Sequence, residues 1–307
     1  MANTAAQHSG NIGLSRKSHE RYIGESPKTR NPEDIRHAMV RFFNPFFVSL
    51  MSTSIKSEVN YTETDAENSA ILSEKQPNLI VMNHTNGEDI PVLKKIIKEH
   101  TKEPVYVMLA TDTVHGLHRK FAMQGSHGII PIDRSDKESA QKAEVAAVQH
   151  LQNGHLVAMY PEATWTPDYN YDENGENVSL LPFKRGAARI AQKAGAIIKP
   201  LVTEYSLQDG KPKCDYTWGG EFQTQEYSSD IVAVDALRQI MMNKKDILRD
   251  KIYGGLSERE RILAFSERQA YDKKMYPFLN PMEEMRVSLL YKFNPELAQK
   301  LWLGEKL

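Results

Sequence analysis

The chain has 307 residues, a formal net charge of −1 and a hydrophobic fraction of 40 %. That length supports one large core or a core with appendages, and the near-neutral charge excludes the basic excess of a general nucleic-acid binder. The single cysteine, Cys214, excludes an intrachain disulfide framework and a four-thiolate zinc site, and fits a reducing, cytoplasmic setting.

Residues 1–30 are polar and read as a disordered lead, without the apolar stretch of a signal peptide. Asn31-Pro32-Glu33-Asp34 then starts a helix: a capping Asn, a proline tolerated in the first turn, and acids at the positive dipole end. Ile35, Met39, Phe42, Phe43, Phe46 and Leu50 follow a helical period, which predicts an amphipathic helix interrupted at Pro45. The rest of 31–75 reads as a connecting loop with one edge strand around Glu58–Thr62.

From Asn78 onward short apolar runs alternate with helical patterns. Strands are expected at Leu79–Met82, Val105–Leu109, Gly128–Ile132, His155–Tyr160 and Ala196–Val202. Helices are expected at Ile90–His100, Leu117–Met123 and Ala187–Ala194, and Ser135 with Glu138 reads as a capping box opening a long helix that ends at Gly154. This alternation predicts an α/β fold, a largely parallel central sheet flanked by helices, over residues 76–228. Residues 229–307 read as a helical C-terminal extension: Ile231, Val234, Leu237, Met241 and Leu248 mark one helix, and Ser257 with Glu260 caps another. No apolar stretch approaches the roughly 20 residues that span a bilayer, so the expectation is a soluble or peripheral protein.

Four strand ends carry candidate chemistry. The first is Asn83-His84-Thr85-Asn86-Gly87-Glu88-Asp89, where a histidine leaves a buried strand and a carboxylate follows five residues later. Such a carboxylate can hold one imidazole nitrogen and leave the other to take a proton; the alternative is a loop histidine beside a helix cap. The others are Gly128–Arg134, Tyr160-Pro161-Glu162-Ala163-Thr164, and Lys199-Pro200-Leu201-Val202 preceded by Phe183-Lys184-Arg185-Gly186. His115 and His118 have the spacing of a metal pair but lack a third ligand, and Asp168, Asp172 and Glu173 do not fit an EF-hand loop; no metal site is expected.

In this order and spacing the four segments resemble the blocks of the glycerolipid acyltransferases, the glycerol-3-phosphate and lysophosphatidate acyltransferases. Those blocks are an N-H-x4-D box, a strand running from glycine to arginine, an F-P-E-G-T box and a final strand with a proline. The resemblance spans residues 78–225. It implies His84 as general base, Asp89 as its orienting partner, and direct acyl transfer from acyl-CoA or acyl-carrier protein to a lipid acceptor, with no further cofactor. Arg134 would bind the acceptor phosphate, Glu162 and Thr164 would orient the acceptor, and Lys184 with Arg185 would meet phosphates of the acceptor or of coenzyme A. Backbone amides in the His84–Gly87 turn are candidates for stabilising the oxyanion.

Lipid substrates also favour docking of residues 35–51 on the inner face of the membrane, against the alternative of a helix packed on the sheet. Two departures bear on the acceptor. Ala163 and Trp165 stand where the family carries glycine and arginine, and Met108–Asp112 lacks a lysine often found there. They leave open a non-phosphorylated acceptor such as a glycolipid, and a catalytically silent lipid-binding scaffold is the further alternative.

Overall fold

A computed structural model describes residues 60–63, 72, 76–85, 88–110, 128–134, 136–163 and 179–275. The amphipathic helix of residues 31–50, the helix over 117–123, His115, His118 and the loop bearing Thr164, Trp165, Asp168, Asp172 and Glu173 lie outside them.

In chain order the elements are β1 (Asn60–Glu63), β2 (Asn78–Met82), α1 (Asp89–His100), β3 (Val105–Ala110), β4 (Ile129–Ile132) and α2 (Lys137–Gln152). There follow β5 (Leu156–Met159), α3 (Gly186–Ala194), β6 (Ile197–Gln208), β7 (Lys211–Trp218), α4 (Asp230–Tyr253) and α5 (Glu258–Met275). The strands form one seven-stranded sheet in the order β1-β7-β6-β2-β5-β3-β4. Five neighbouring strands, from β6 to β4, run parallel. Among the described strands only the β6–β7 pair is antiparallel, and β1 lies parallel to β7 at the edge.

β2 shows why the centre is parallel and covered on both faces. Leu79, Ile80, Val81 and Met82 are all fully buried, a continuous apolar run rather than an alternating one. Leu79 and Val81 join a core that includes Ala147 of α2, Ile190 of α3 and Leu237 of α4, whereas Ile80 and Met82 face Val92, Leu93 and Ile96 of α1. Burying a side chain of this size contributes about 1.5–3 kcal/mol, so a single polar residue here would cost the sheet its centre.

Three details differ from the sequence reading. The final strand is longer than Ala196–Val202 and returns through a two-residue turn at Asp209 (φ 53°) and Gly210 (φ 73°). Two left-handed residues are what a tight hairpin turn requires, and Asp-Gly supplies them at low strain. The cap of α2 is Asp136, not Ser135: its side chain accepts the Glu138 N–H at 2.9 Å. In α4, Val234, Leu237, Met241 and Leu248 are buried as expected, but Ile231 is half exposed because it lies in the first turn, short of the sheet. At the start of α5 the expected box is formed, with Glu260 accepting Ser257 N–H at 2.7 Å and Ser257 Oγ accepting Glu260 N–H at 3.4 Å.

Candidate active site

Where β2 ends, the Asn83 side chain continues the ladder that its backbone leaves. Thr203 N–H of β6 donates to Asn83 Oδ1 at 2.8 Å, and Asn83 Nδ2 donates to Thr203 O at 3.0 Å and to Thr85 Oγ1 at 3.0 Å. This fully buried amide fixes the residue before His84 to the neighbouring strand.

The next turn closes on the start of α1. His84 Nδ1 lies 2.7 Å from Asp89 Oδ2, and the same oxygen accepts Thr85 N–H at 2.7 Å. An oxygen that accepts the Thr85 amide also accepts from Nδ1–H, which in a neutral imidazole puts the lone pair on Nε2. Asp89 is fully buried. Around it the Tyr160 and Tyr205 phenols and the Cys214 thiol are pushed well above their ordinary pKa values, first by burial and then by the Asp89 charge. All three therefore stay neutral beside the carboxylate. Tyr160 also stacks on His84, with centroids 4.4 Å apart and planes 24° from parallel.

Glu162 is where the structure adds most to the sequence. It is buried, and its two oxygens accept backbone N–H groups from separate segments: Oε1 takes His84 N–H at 3.0 Å and Oε2 takes Leu181 N–H at 2.9 Å. The sequence reading had this carboxylate orient the acceptor; the geometry places it behind the histidine. The amides of the turn are affected too. The His84 amide is engaged by Glu162 and the Thr85 amide by Asp89, so neither is available to an oxyanion as expected. The other two residues of the turn, Asn86 and Gly87, lie outside the described residues.

A cavity of about 370 Å³ opens at this edge. It lies beyond the carboxyl ends of β2 to β5, where open α/β sheets hold their ligands. His84, Tyr160 and Pro161 line one side, and Met108, Ile132, Met159 and Ile190 give it an apolar floor. Arg134, Lys184, Arg185 and Arg189 bring positive charge to the rim. Arg189 and Lys193 are bound to Glu144 at 2.6 and 2.7 Å, and the Arg134 guanidinium donates to the carbonyl of Ala163. Ala163 itself holds φ of 57°, a left-handed conformation that costs a residue with a Cβ roughly 1–2 kcal/mol.

Of the residues singled out in the sequence, His84, Asp89, Arg134, Glu162 and Lys184 converge on this edge, and Thr164 lies outside the described residues. Among the described residues no group of three or more His, Cys, Asp or Glu could hold a metal ion. Asn83 and Tyr160 were not given roles from sequence, although both sit inside the blocks that were read.

A family model described as Acyltransferase matches residues 62–204. Over that segment the chain is similar to the acyltransferase family. Over 139 residues the chain is 31 % identical to a 1-acyl-sn-glycerol-3-phosphate acyltransferase of Helicobacter pylori. That match covers 42 % of this chain and 49 % of the relative, so the chain spans about half the length of the curated relative it matches. A crystal structure of a 1-acyl-sn-glycerophosphate acyltransferase from Thermotoga maritima is similar at 16 % identity with a TM-score of 0.47, covering 72 % of this chain and 84 % of the other. The matched segment ends inside β6, and β7, α4 and α5 lie beyond it.

Proposed function

We propose that this protein transfers a fatty acyl group from a thioester, acyl-CoA or acyl-carrier protein, to the hydroxyl of a lysophosphatidate-like glycerolipid. The observation that carries the reading is the 2.7 Å contact between His84 Nδ1 and the buried Asp89 carboxylate. It leaves Nε2 to take the acceptor hydroxyl proton as the oxygen attacks the thioester carbonyl. The C–S bond breaks as the tetrahedral intermediate collapses, and the imidazolium returns its proton to the leaving thiolate. Asp89 stabilises the imidazolium in between. Base catalysis of this kind supplies about 10²–10⁴-fold.

The cationic rim supports a phosphorylated acceptor over a neutral one, since Arg134 and Lys184 can bind phosphate oxygens by charge-assisted hydrogen bonds. The apolar floor suits the acyl chain. Among the described residues no helix is long and apolar enough to cross a membrane, and lipid substrates favour peripheral contact through residues 35–51.

The test is incubation of the purified full chain with labelled acyl-CoA and a panel of lysolipids and glycolipids, with mass spectrometry of the products. The reading requires acylated product that falls about 10²–10⁴-fold in His84→Ala. It also requires a raised KM in Arg134→Ala for phosphorylated acceptors only. Full transfer by His84→Ala overturns the base, and unchanged KM in Arg134→Ala overturns the phosphate.

A further inference from the structure

The helical extension beyond the matched segment is tied to the loop that carries His84, and the ties are continuous. Arg238 of α4 donates through Nε to Leu180 O at 3.2 Å and Leu181 O at 3.0 Å, and through Nη2 to Leu180 O at 2.6 Å. The Leu181 N–H donates to Glu162 Oε2 at 2.9 Å, and Glu162 Oε1 accepts the His84 N–H at 3.0 Å. Four residues, linked side chain to peptide to side chain to peptide, thus join α4 to the proposed base.

Two further cations of the extension end next to the same loop. Lys245 of α4, 1 % exposed, reaches Thr203 O at 3.4 Å, the carbonyl that also accepts from Asn83. Arg268 of α5, 3 % exposed, lies 3.7 Å from Glu88, the residue before Asp89, and 4.9 Å over the Tyr205 ring. A cation carried on an amphipathic helix ordinarily points to water. Three turn inward instead: Arg238 meets the Leu180 and Leu181 carbonyls, Lys245 meets Thr203 O and pairs with Glu204 at 3.0 Å, and Arg268 lies against Glu88. A catalytic constellation has to be held to within about 0.5 Å, and groups behind the reacting residues do the holding.

We infer that α4 and α5 act as a positioning scaffold for the His84–Asp89 pair, with Arg238 as a positioning residue that acts through Leu181 and Glu162. The inference rests on the acyl-transfer reading for its kinetic test and stands apart from it for its structural one. Arg238 does not line the cavity, so its loss should lower turnover and leave substrate binding alone.

The experiment compares Arg238→Ala, Arg238→Gln and Arg238→Lys with the parent, as full chains, by steady-state acyl transfer and by hydrogen exchange with mass spectrometry. The expected result for Arg238→Ala is a 10- to 100-fold fall in kcat (on the order of a lost positioning contact) with KM for both substrates within about twofold. Arg238→Lys should recover part of kcat, because one ammonium can meet one of the two carbonyls. Hydrogen exchange should accelerate in peptides containing His84 and Leu181 while β2 and β5 keep their protection. Arg238→Gln serves if the alanine variant does not fold. Unchanged kcat together with unchanged exchange at His84 overturns the inference, as does a loss confined to KM. If the parent shows no acyl transfer, the functional reading fails, and the exchange measurement still decides whether α4 holds the loop.

Discussion

Glu162 and His84 meet through a carboxylate oxygen and a peptide N–H, 3.0 Å apart, while the other carboxylate oxygen holds Leu181. Two N–H groups converge on one side chain, and only a group with two acceptors satisfies both. Glu162→Gln places an NH2 against one of these donors, and leaving a buried donor unsatisfied costs about 1–3 kcal/mol. The expected outcome is a fall in kcat of at least tenfold (about 1.4 kcal/mol) with little change in acceptor KM. A raised KM at constant kcat would return Glu162 to the acceptor-binding role read from sequence.

Tyr160 presents its ring face to His84 at 4.4 Å, and its buried hydroxyl has no hydrogen-bond partner among the described residues. The ring becomes more favourable to the imidazole when the imidazole carries charge, by about 0.5–2 kcal/mol. Tyr160→Phe keeps the stack and should retain kcat within about twofold, whereas Tyr160→Leu should lose between roughly two- and thirtyfold. Equal activity of Phe and Leu variants in the acyl-transfer assay would rule out a role for the ring.

Ala163 sits at φ 57°, where the related box carries glycine. Substituting glycine removes the Cβ strain but loosens the unfolded chain, so the net gain is smaller than the strain. Ala163→Gly should raise stability by about 0.5–1 kcal/mol, read as a shift in the denaturant midpoint. A decrease would mean that the Arg134 contact to this carbonyl depends on the methyl group's restriction of the turn.

The buried Glu204 makes folding sensitive to acid. Burial alone would raise its pKa, but the charges of Lys245, 3.0 Å away, and Arg249, 3.2 Å away, outweigh burial and lower it. A carboxylate with a lowered folded-state pKa contributes stability above its unfolded value, about 4.3, and loses it as the pH falls through the lower folded value. Stability should therefore decline below about pH 4.5, and Glu204→Gln should flatten that decline. At neutral pH the variant should lose about 3–5 kcal/mol, since Lys245 stays buried without its partner. Urea titrations at pH 7 and at lower pH read both effects.

Much of the fold was legible because β2 and its parallel neighbours are buried on both faces, and such strands write themselves as unbroken apolar runs. His84 and Arg134 follow the ends of two of those strands, and Asp89 and Lys184 lie at or just before the starts of the helices α1 and α3. The β6–β7 hairpin was missed although Asp209-Gly210 is a strong turn signal between two runs. Glu162 turns toward the histidine backbone, and no sequence spacing records which way a carboxylate turns. Arg238, Lys245 and Arg268 were illegible for a related reason. On a helix, charges that reach inward to carbonyls have the same spacing as charges that reach outward to water.

Cys214 brings a practical consequence. It is the chain's one thiol, it is fully buried in β7, and burial followed by the Asp89 charge keeps it protonated. Alkylating and spin-labelling reagents need an accessible thiolate, so the folded protein should pass through them unmarked. Cysteines introduced at Val145 of α2 and Ile247 of α4, both about half exposed, would then be the sole attachment points. The distance between two such labels would report directly on the movement of α4 against α2 during turnover, with the native sequence otherwise untouched.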